Sequence, residues 1–320
     1  MVVVESYLVA VFMVLITMLC WGSWANTQKL ARKEWRFELF YWDYTIGVLL
    51  LSLILALTLG SFGSAGRSFF QDIAQADGAN IVSALVGGAV FNAANILLVA
   101  AIAIAGMSVA YPVGIGLALV IGVIVNYLAT PLGNAFLLFL GVGLVAVAIL
   151  IDAAAYKKIP SDKAGVSTKG LVLSVMCGVL MGFFYRFVAA SMSSDYINLE
   201  AGKLSPYTAV FFFSVGIVLS NFVFNTIIMK KPFVGDPVPF ADYFKGGLRI
   251  HSYGVLGGII WGIGMSFNII AAGAAGFAIS YGLGQGATMV AAVWGTNRLI
   301  ALMFAFFILG LGSIIVSRLT

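Results

Sequence analysis

Few side chains in this 320-residue chain could do chemistry, because only 9% are charged and there is a single histidine. The first to stand out is Asp43 in "ELFYWDYTIG" (38–47), a carboxylate beside three aromatics at the start of a long apolar run. Such a group is either a wetted helix end or a proton carrier whose pKa is raised by desolvation. Arg186, in "GFFYRFVAA", is the other charge within an apolar stretch, while His251 and Glu5 sit at the edges of such stretches. An edge histidine ordinarily meets interfacial water, though it could shuttle protons.

The uncharged candidates form a larger set. Asn92 and Asn95 are three apart, which puts both on one face of a helix, and Asn268 and Gln285 lie within later apolar runs. Their amides both donate and accept hydrogen bonds. Trp21, Trp24 and Trp261 add flat apolar faces, and Tyr111 and Tyr281 add ring hydroxyls. Together they suit a small neutral polar solute, a sugar ring or a planar heterocycle, better than an ion. The competing role for each residue alone is to join or fill helix interfaces.

Catalysis would need a nucleophile with a base, paired carboxylates or a metal cluster. One edge histidine and no carboxylate pair assemble none of these, so no enzyme and no metal are expected. Cys20 and Cys177 fall inside apolar runs as small apolar residues, with neither a disulfide framework nor metal spacing. No G-x-x-x-x-G-K-[ST] phosphate loop occurs, so neither ATP nor another cofactor is expected.

The elements that must position these groups follow from composition. The chain is 62% hydrophobic with a mean hydropathy of +1.08, whereas soluble domains carry about 25% charged residues. This excludes a water-facing surface and predicts an all-α integral membrane protein. Apolar spans fall at roughly 6–26, 38–61, 80–105, 107–128, 134–152, 169–190, 206–228, 252–273, 275–294 and 298–317, which makes ten transmembrane helices. The weakest breaks are at Gly106, near Gly273 and at Gly295. The N-terminal stretch lacks the basic flank and cleavage site of a signal peptide and reads as the first span.

Most lysines and arginines, among them Lys29, Arg36, Lys157, Lys230 and Arg249, fall in alternate loops of one side; Arg67, Lys203 and Arg318 fall on the other. The positive-inside rule then puts both termini on the non-cytoplasmic side of a plasma or inner membrane. Anchoring in the lipid bilayer explains the net charge of +5 better than a nucleic-acid partner does.

Shifted by 170 residues, "GGAVFNAANILLVAAIAIAGMSVAYPVGIG" (87–116) lies on "GGIIWGIGMSFNIIAAGAAGFAISYGLGQG" (257–286) without a gap, pairing Tyr111 with Tyr281 and Gly106 with Gly276. This predicts two five-helix repeats, 1–152 and 169–320, joined by a short cytoplasmic loop, 153–168. Five is odd, so the repeats are inverted, as in secondary transporters whose site lies at the midplane. Asp43 would lie roughly 7–8 Å inside the cytoplasmic boundary, near Asn26 and an inner gate. Arg186 would lie near the outer end, too far to pair with Asp43, and there either snorkels or closes an outer gate.

The stretches "YWDYTIGVLLLSLILALTLGSFG" (41–63), 87–128 and "LSPYTAVFFFSVGIVLSNFVFN" (204–225), with "CWGSW" (20–24) and 254–278, resemble those of ureide permeases. "KGLVLSVMCGVL" (169–180) is also similar to bacterial rhamnose–proton symporters and glucose/ribose porters, all of the drug/metabolite transporter superfamily. The resemblance implies a secondary transporter of ureide- or nucleobase-like solutes that is coupled to protons and works by alternating access. The alternatives are a sugar transporter of the same superfamily or an uncoupled facilitator. One departure is the short central loop, "AAAYKKIPSDKAGVST" (153–168), where plant ureide permeases carry a long one with a nucleotide-binding-like motif.

Overall fold

A computed structural model describes residues 1–31, 35–156, 167–286 and 297–319. The described chain is almost wholly helical. Its helices are α1 (Tyr7–Ser23), α2 (Asn26–Leu30), α3 (Phe37–Leu57), α4 (Phe69–Gln75), α5 (Gly78–Ala105), α6 (Met107–Ala110), α7 (Gly116–Ala129), α8 (Ala135–Tyr156), α9 (Thr168–Ser191), α10 (Pro206–Lys230), α11 (Leu248–Ala275), α12 (Phe277–Gly284) and α13 (Asn297–Val316). Long apolar runs take this form because lipid offers backbone amides no partner, and a helix satisfies them internally.

Among the described residues seven helical stretches are long and apolar enough to cross a membrane: Tyr7–Gln28, Phe37–Leu57, Gly78–Ala105, Pro112–Ala129, Thr168–Ser191, Pro206–Lys230 and Leu248–Ala275. Ala135–Ile151 is a shorter apolar helix. The expected span 107–128 is not one regular helix: a π-helical turn, Tyr111–Ile115, separates α6 from α7. Of the expected span 275–294 the structure describes α12, and residues 287–296 lie outside the described set.

Local sequence sets several helix ends. Ser205 caps α10 by accepting from the Thr208 amide at 3.3 Å, with Pro206 in the first turn where its missing N–H costs nothing. At α4, Ser68 and Gln71 form a reciprocal capping box.

The 28-residue helices α5 and α11 begin and end at positions 170 apart, and each stops at a glycine in the left-handed region, Gly106 (φ 80°) and Gly276 (φ 88°). The second break thus lies at Gly276, three residues beyond the position expected from hydropathy, because backbone conformation and not polarity ends the helix. Their packing matches as well. A Cβ on Gly88 of α5 would collide with the Phe213 carbonyl of α10, and one on Gly258 of α11 with the Tyr44 carbonyl of α3. Small residues let helices approach this closely in a bilayer, where packing replaces the hydrophobic drive. One continuous apolar cluster runs from α1 through α13.

The two ends of the bundle are held differently. At one end Asp72, fully buried, takes Arg67 Nε at 2.9 Å and the Ser205 amide at 2.7 Å, while Arg67 also donates to the carbonyls of Leu199, Glu200 and Lys203. This knot joins the 58–77 connection to the 192–205 connection. At the other end the segment Phe240–Lys245, a short 3₁₀ helix, folds against the start of α3.

Candidate functional site

Trp21 near the end of α1 stacks on Trp261 of α11, centroids 5.9 Å apart and planes 12° apart. Phe91 of α5 lies 4.3 Å from Trp261, and Trp24 packs on Tyr44 at 4.8 Å. Trp21, Trp24, Phe91 and Trp261 wall a cavity also lined by Asn95 of α5, Phe184 of α9 and Gln285 after α12. Its volume is about 60 Å³. Helices from both sequence halves therefore contribute to one small aromatic chamber with two amides.

Of the expected lining residues, Trp21, Trp24, Asn95, Trp261 and Gln285 meet here. Asn92 is turned to the neighbouring interface, where Nδ2 donates to Ser220 Oγ at 2.9 Å and Oδ1 accepts from Tyr41 at 2.9 Å. Tyr281 donates to the Met181 carbonyl at 2.8 Å, and Asn268 to the Ser280 carbonyl at 2.7 Å. Both are buried and serve to join helices. The backbone of Tyr111 lies in the π-helical turn, and its side chain lies outside what is described. Buried polar atoms without a protein partner in this region include Trp21 Nε1, Tyr44 Oη and Asn268 Oδ1.

Asp43 is 2% exposed and is not a wetted helix end. Its Oδ1 accepts from Tyr243 Oη at 2.5 Å, and its Oδ2 lies 2.9 Å from His251 Nδ1. His251 is correspondingly a partner of the acid and not a bare edge residue; sequence reasoning missed this, as it missed Tyr243. No local pattern could have shown it, since Tyr243 and His251 lie 200 and 208 residues beyond Asp43 along the chain. Burial, and donation to a carboxylate, raise the Tyr243 phenol above its ordinary pKa. Asn26 is exposed at the first residue of α2, and Arg186 is partly exposed on α9. Among the described residues no three His, Cys, Asp or Glu side chains gather as a metal site.

A membrane-crossing helical bundle that encloses a small aromatic and amide chamber, with a buried aspartate–histidine pair toward one end, defines a multi-pass membrane permease. The ureide permease family model matches residues 40–169 and 161–304, and this chain belongs to the ureide permease family. Ureide permease 1 of Arabidopsis thaliana is 24% identical over 92% of this chain and 90% of its own length, and Ureide permease 4 of the same plant is 24% identical over the same shares. Transmembrane protein 144 homolog B of Dictyostelium discoideum is 28% identical over 45% of this chain and 38% of its own. A crystal structure aligns over 98% of this chain and 99% of its own at TM-score 0.62 and 14% identity, so the fold is one already seen by experiment.

Proposed function

We propose that this protein is a secondary transporter that moves a small neutral ureide- or nucleobase-like solute across the cell membrane, driven by protons and working by alternating access. The observation that carries the reading is the chamber itself: stacked Trp21 and Trp261 with Phe91 supply flat faces, and Asn95 and Gln285 supply amide contacts at the edge of a planar ring. The plant relatives, Ureide permease 1 and Ureide permease 4, support the ureide class over sugars.

In this reading the chain makes ten passes as two inverted five-helix repeats, 1–152 and 169–320, with 153–168 between them and both termini outside. The matched limits of α5 and α11 and their matched glycine contacts support it. Membership of the drug/metabolite transporter superfamily belongs to the same reading. The chamber in its present form is smaller than the several hundred Å³ usual for a ligand pocket, which fits a closed stage of a cycle. Asp43 is the inner proton site, near an inner gate that includes Asn26, and Arg186 belongs to the outer end. Asn92, Asn268 and Tyr281 hold the helices that shape the chamber, and Tyr111 is a solute contact in this reading. Energy comes from a gradient and not from ATP.

The test is uptake by proteoliposomes holding the full-length protein, with labelled allantoin, uracil, glucose and rhamnose, each with and without an inward proton gradient. Concentrative uptake of allantoin or uracil that needs the gradient is expected. Accumulation of a sugar alone would reassign the substrate, and uptake that ignores the gradient would make the protein a facilitator.

A further inference from the structure

A hydrogen-bonded chain leads from the chamber into the α3–α5–α10 interface, and its direction is fixed at its far end. Ser220 Oγ donates to the Ile217 carbonyl at 3.0 Å, so its lone pairs are what Asn92 Nδ2 meets at 2.9 Å. Asn92 Nδ2 also lies 3.3 Å from the same Ile217 oxygen. A backbone carbonyl can only accept. Turning the Asn92 amide over would set oxygen against oxygen, so Asn92 must present Oδ1 to Tyr41, whose hydroxyl donates to it at 2.9 Å. The Tyr41 proton is then spent, and its oxygen accepts from Asn95 Nδ2 at 3.0 Å. Asn95 is left with Oδ1, which has no donor among the described residues, as the atom it can offer the chamber it lines.

We propose that Tyr41 is a specificity-determining positioning residue: through the chain Ser220–Asn92–Tyr41 it holds Asn95 with its carbonyl oxygen toward the solute, so the chamber selects solutes that present an N–H at that point. The inference rests on the reading of the chamber as a solute site and adds to it which atom of Asn95 faces the solute and what fixes it. Tyr41 touches no solute itself. It is fully buried and stacks on Tyr44 at 5.2 Å, so its ring stays in place while its hydroxyl does the orienting. Without that hydroxyl nothing prefers one Asn95 amide face over the other, and an acceptor on the solute becomes as welcome as a donor.

The experiment measures binding of uracil, 2-methoxypyrimidin-4(3H)-one and 4-methoxypyrimidin-2(1H)-one, in which O-methylation turns N1 or N3 from a donor into an acceptor, to the purified full-length protein, wild type and Tyr41→Phe, by quenching of tryptophan fluorescence. The expected wild-type result is that at least one methylated ring binds tenfold or more weakly than uracil. In Tyr41→Phe that ratio is expected to shrink to about threefold or less, because a turned Asn95 amide donates from Nδ2 to the ring nitrogen that has become an acceptor. A ratio that survives in Tyr41→Phe is steric and overturns the proposal, as does a wild type that binds all three alike. A wild type that binds none of the three defeats the solute reading instead, and a solute-free measurement then decides. In protein labelled with ¹⁵N-asparagine, the Asn95 side-chain NH₂ pair, assigned by its loss in Asn95→Asp, is expected to exchange slowly with water and to exchange fast in Tyr41→Phe. Fast exchange in the wild type overturns the proposed polarity whatever binds.

Discussion

Asp43 and His251 face each other at 2.9 Å, carboxylate Oδ2 to imidazole Nδ1, and so tie α3 to the first turn of α11 across the two halves of the sequence. The same carboxylate takes the Tyr243 hydroxyl at 2.5 Å. In the proposed reading this buried acid, held by two partners from a distant part of the chain, is the inner proton site.

Asp43→Asn keeps the volume and the Tyr243 contact but cannot carry a proton. Gradient-driven accumulation in proteoliposomes is expected to fall to the level seen without a gradient, while solute exchange persists. Unchanged accumulation would remove Asp43 from coupling. His251→Ala leaves the acid with one partner fewer and is expected to cost about 1–3 kcal/mol of stability in detergent.

Trp21→Leu removes one face of the stacked pair while keeping an apolar wall. Aromatic pairs are worth about 0.5–1.5 kcal/mol beyond their area, so half-saturation for uptake should rise by about two- to tenfold with the maximal rate little changed. A change confined to the maximal rate would place Trp21 outside the solute's contacts.

Asp72→Ala strands Arg67 Nε and the Ser205 amide in the knot that joins two connections. Removing one partner of a buried pair costs about 3–5 kcal/mol, and the partial exposure of Arg67, 23%, puts the expected loss at or below the lower end. Thermal unfolding in detergent reads it; a midpoint within a degree of wild type would mean that the knot is redundant.

Gly88→Ala and Gly258→Ala each drive a methyl group into a backbone carbonyl of the facing helix. Overpacking typically costs about 1–3 kcal/mol, so both variants should show a lowered unfolding midpoint by similar amounts. If only one is sensitive, the two crossings differ in tolerance despite their matched geometry.

Glu200 accepts from the Ser194 amide at 3.0 Å and from the Ser194 hydroxyl, and these bonds hold its pKa below the ordinary glutamate value. Because the folded-state pKa is depressed, the loop's stabilisation is present above the unfolded value and is lost as pH falls through the lower folded value. Amide exchange in 193–200 should therefore stay protected, after correction for intrinsic rates, down to the ordinary glutamate range and rise below it. In Glu200→Gln it should vary little with pH.

Much of the fold was legible because the bilayer imposes strict demands: apolar runs of about 20 residues must be helices, and α3, α5, α9 and α10 fall within four residues of the limits read from hydropathy. The offset of 170 residues likewise foretold that Gly106 and Gly276 would occupy equivalent positions. Residue type also marked Trp21, Trp24, Asn95, Trp261 and Gln285 as chamber candidates, since amides and indoles suit a small polar solute, whereas the same reasoning at Asn92, Asn268 and Tyr281 met residues that join helices. Sequence could not tell Asn95 from Asn92, three residues away on the same helix face. The choice depends on a Tyr41 hydroxyl and a Ser220 on two other helices, and on a carbonyl that can only accept. Nor could it pair Asp43 with His251, 208 residues on. Hydropathy is a local property and survives in the linear chain, whereas the partner of a buried polar group is fixed only when helices cross and leave it a single satisfactory neighbour.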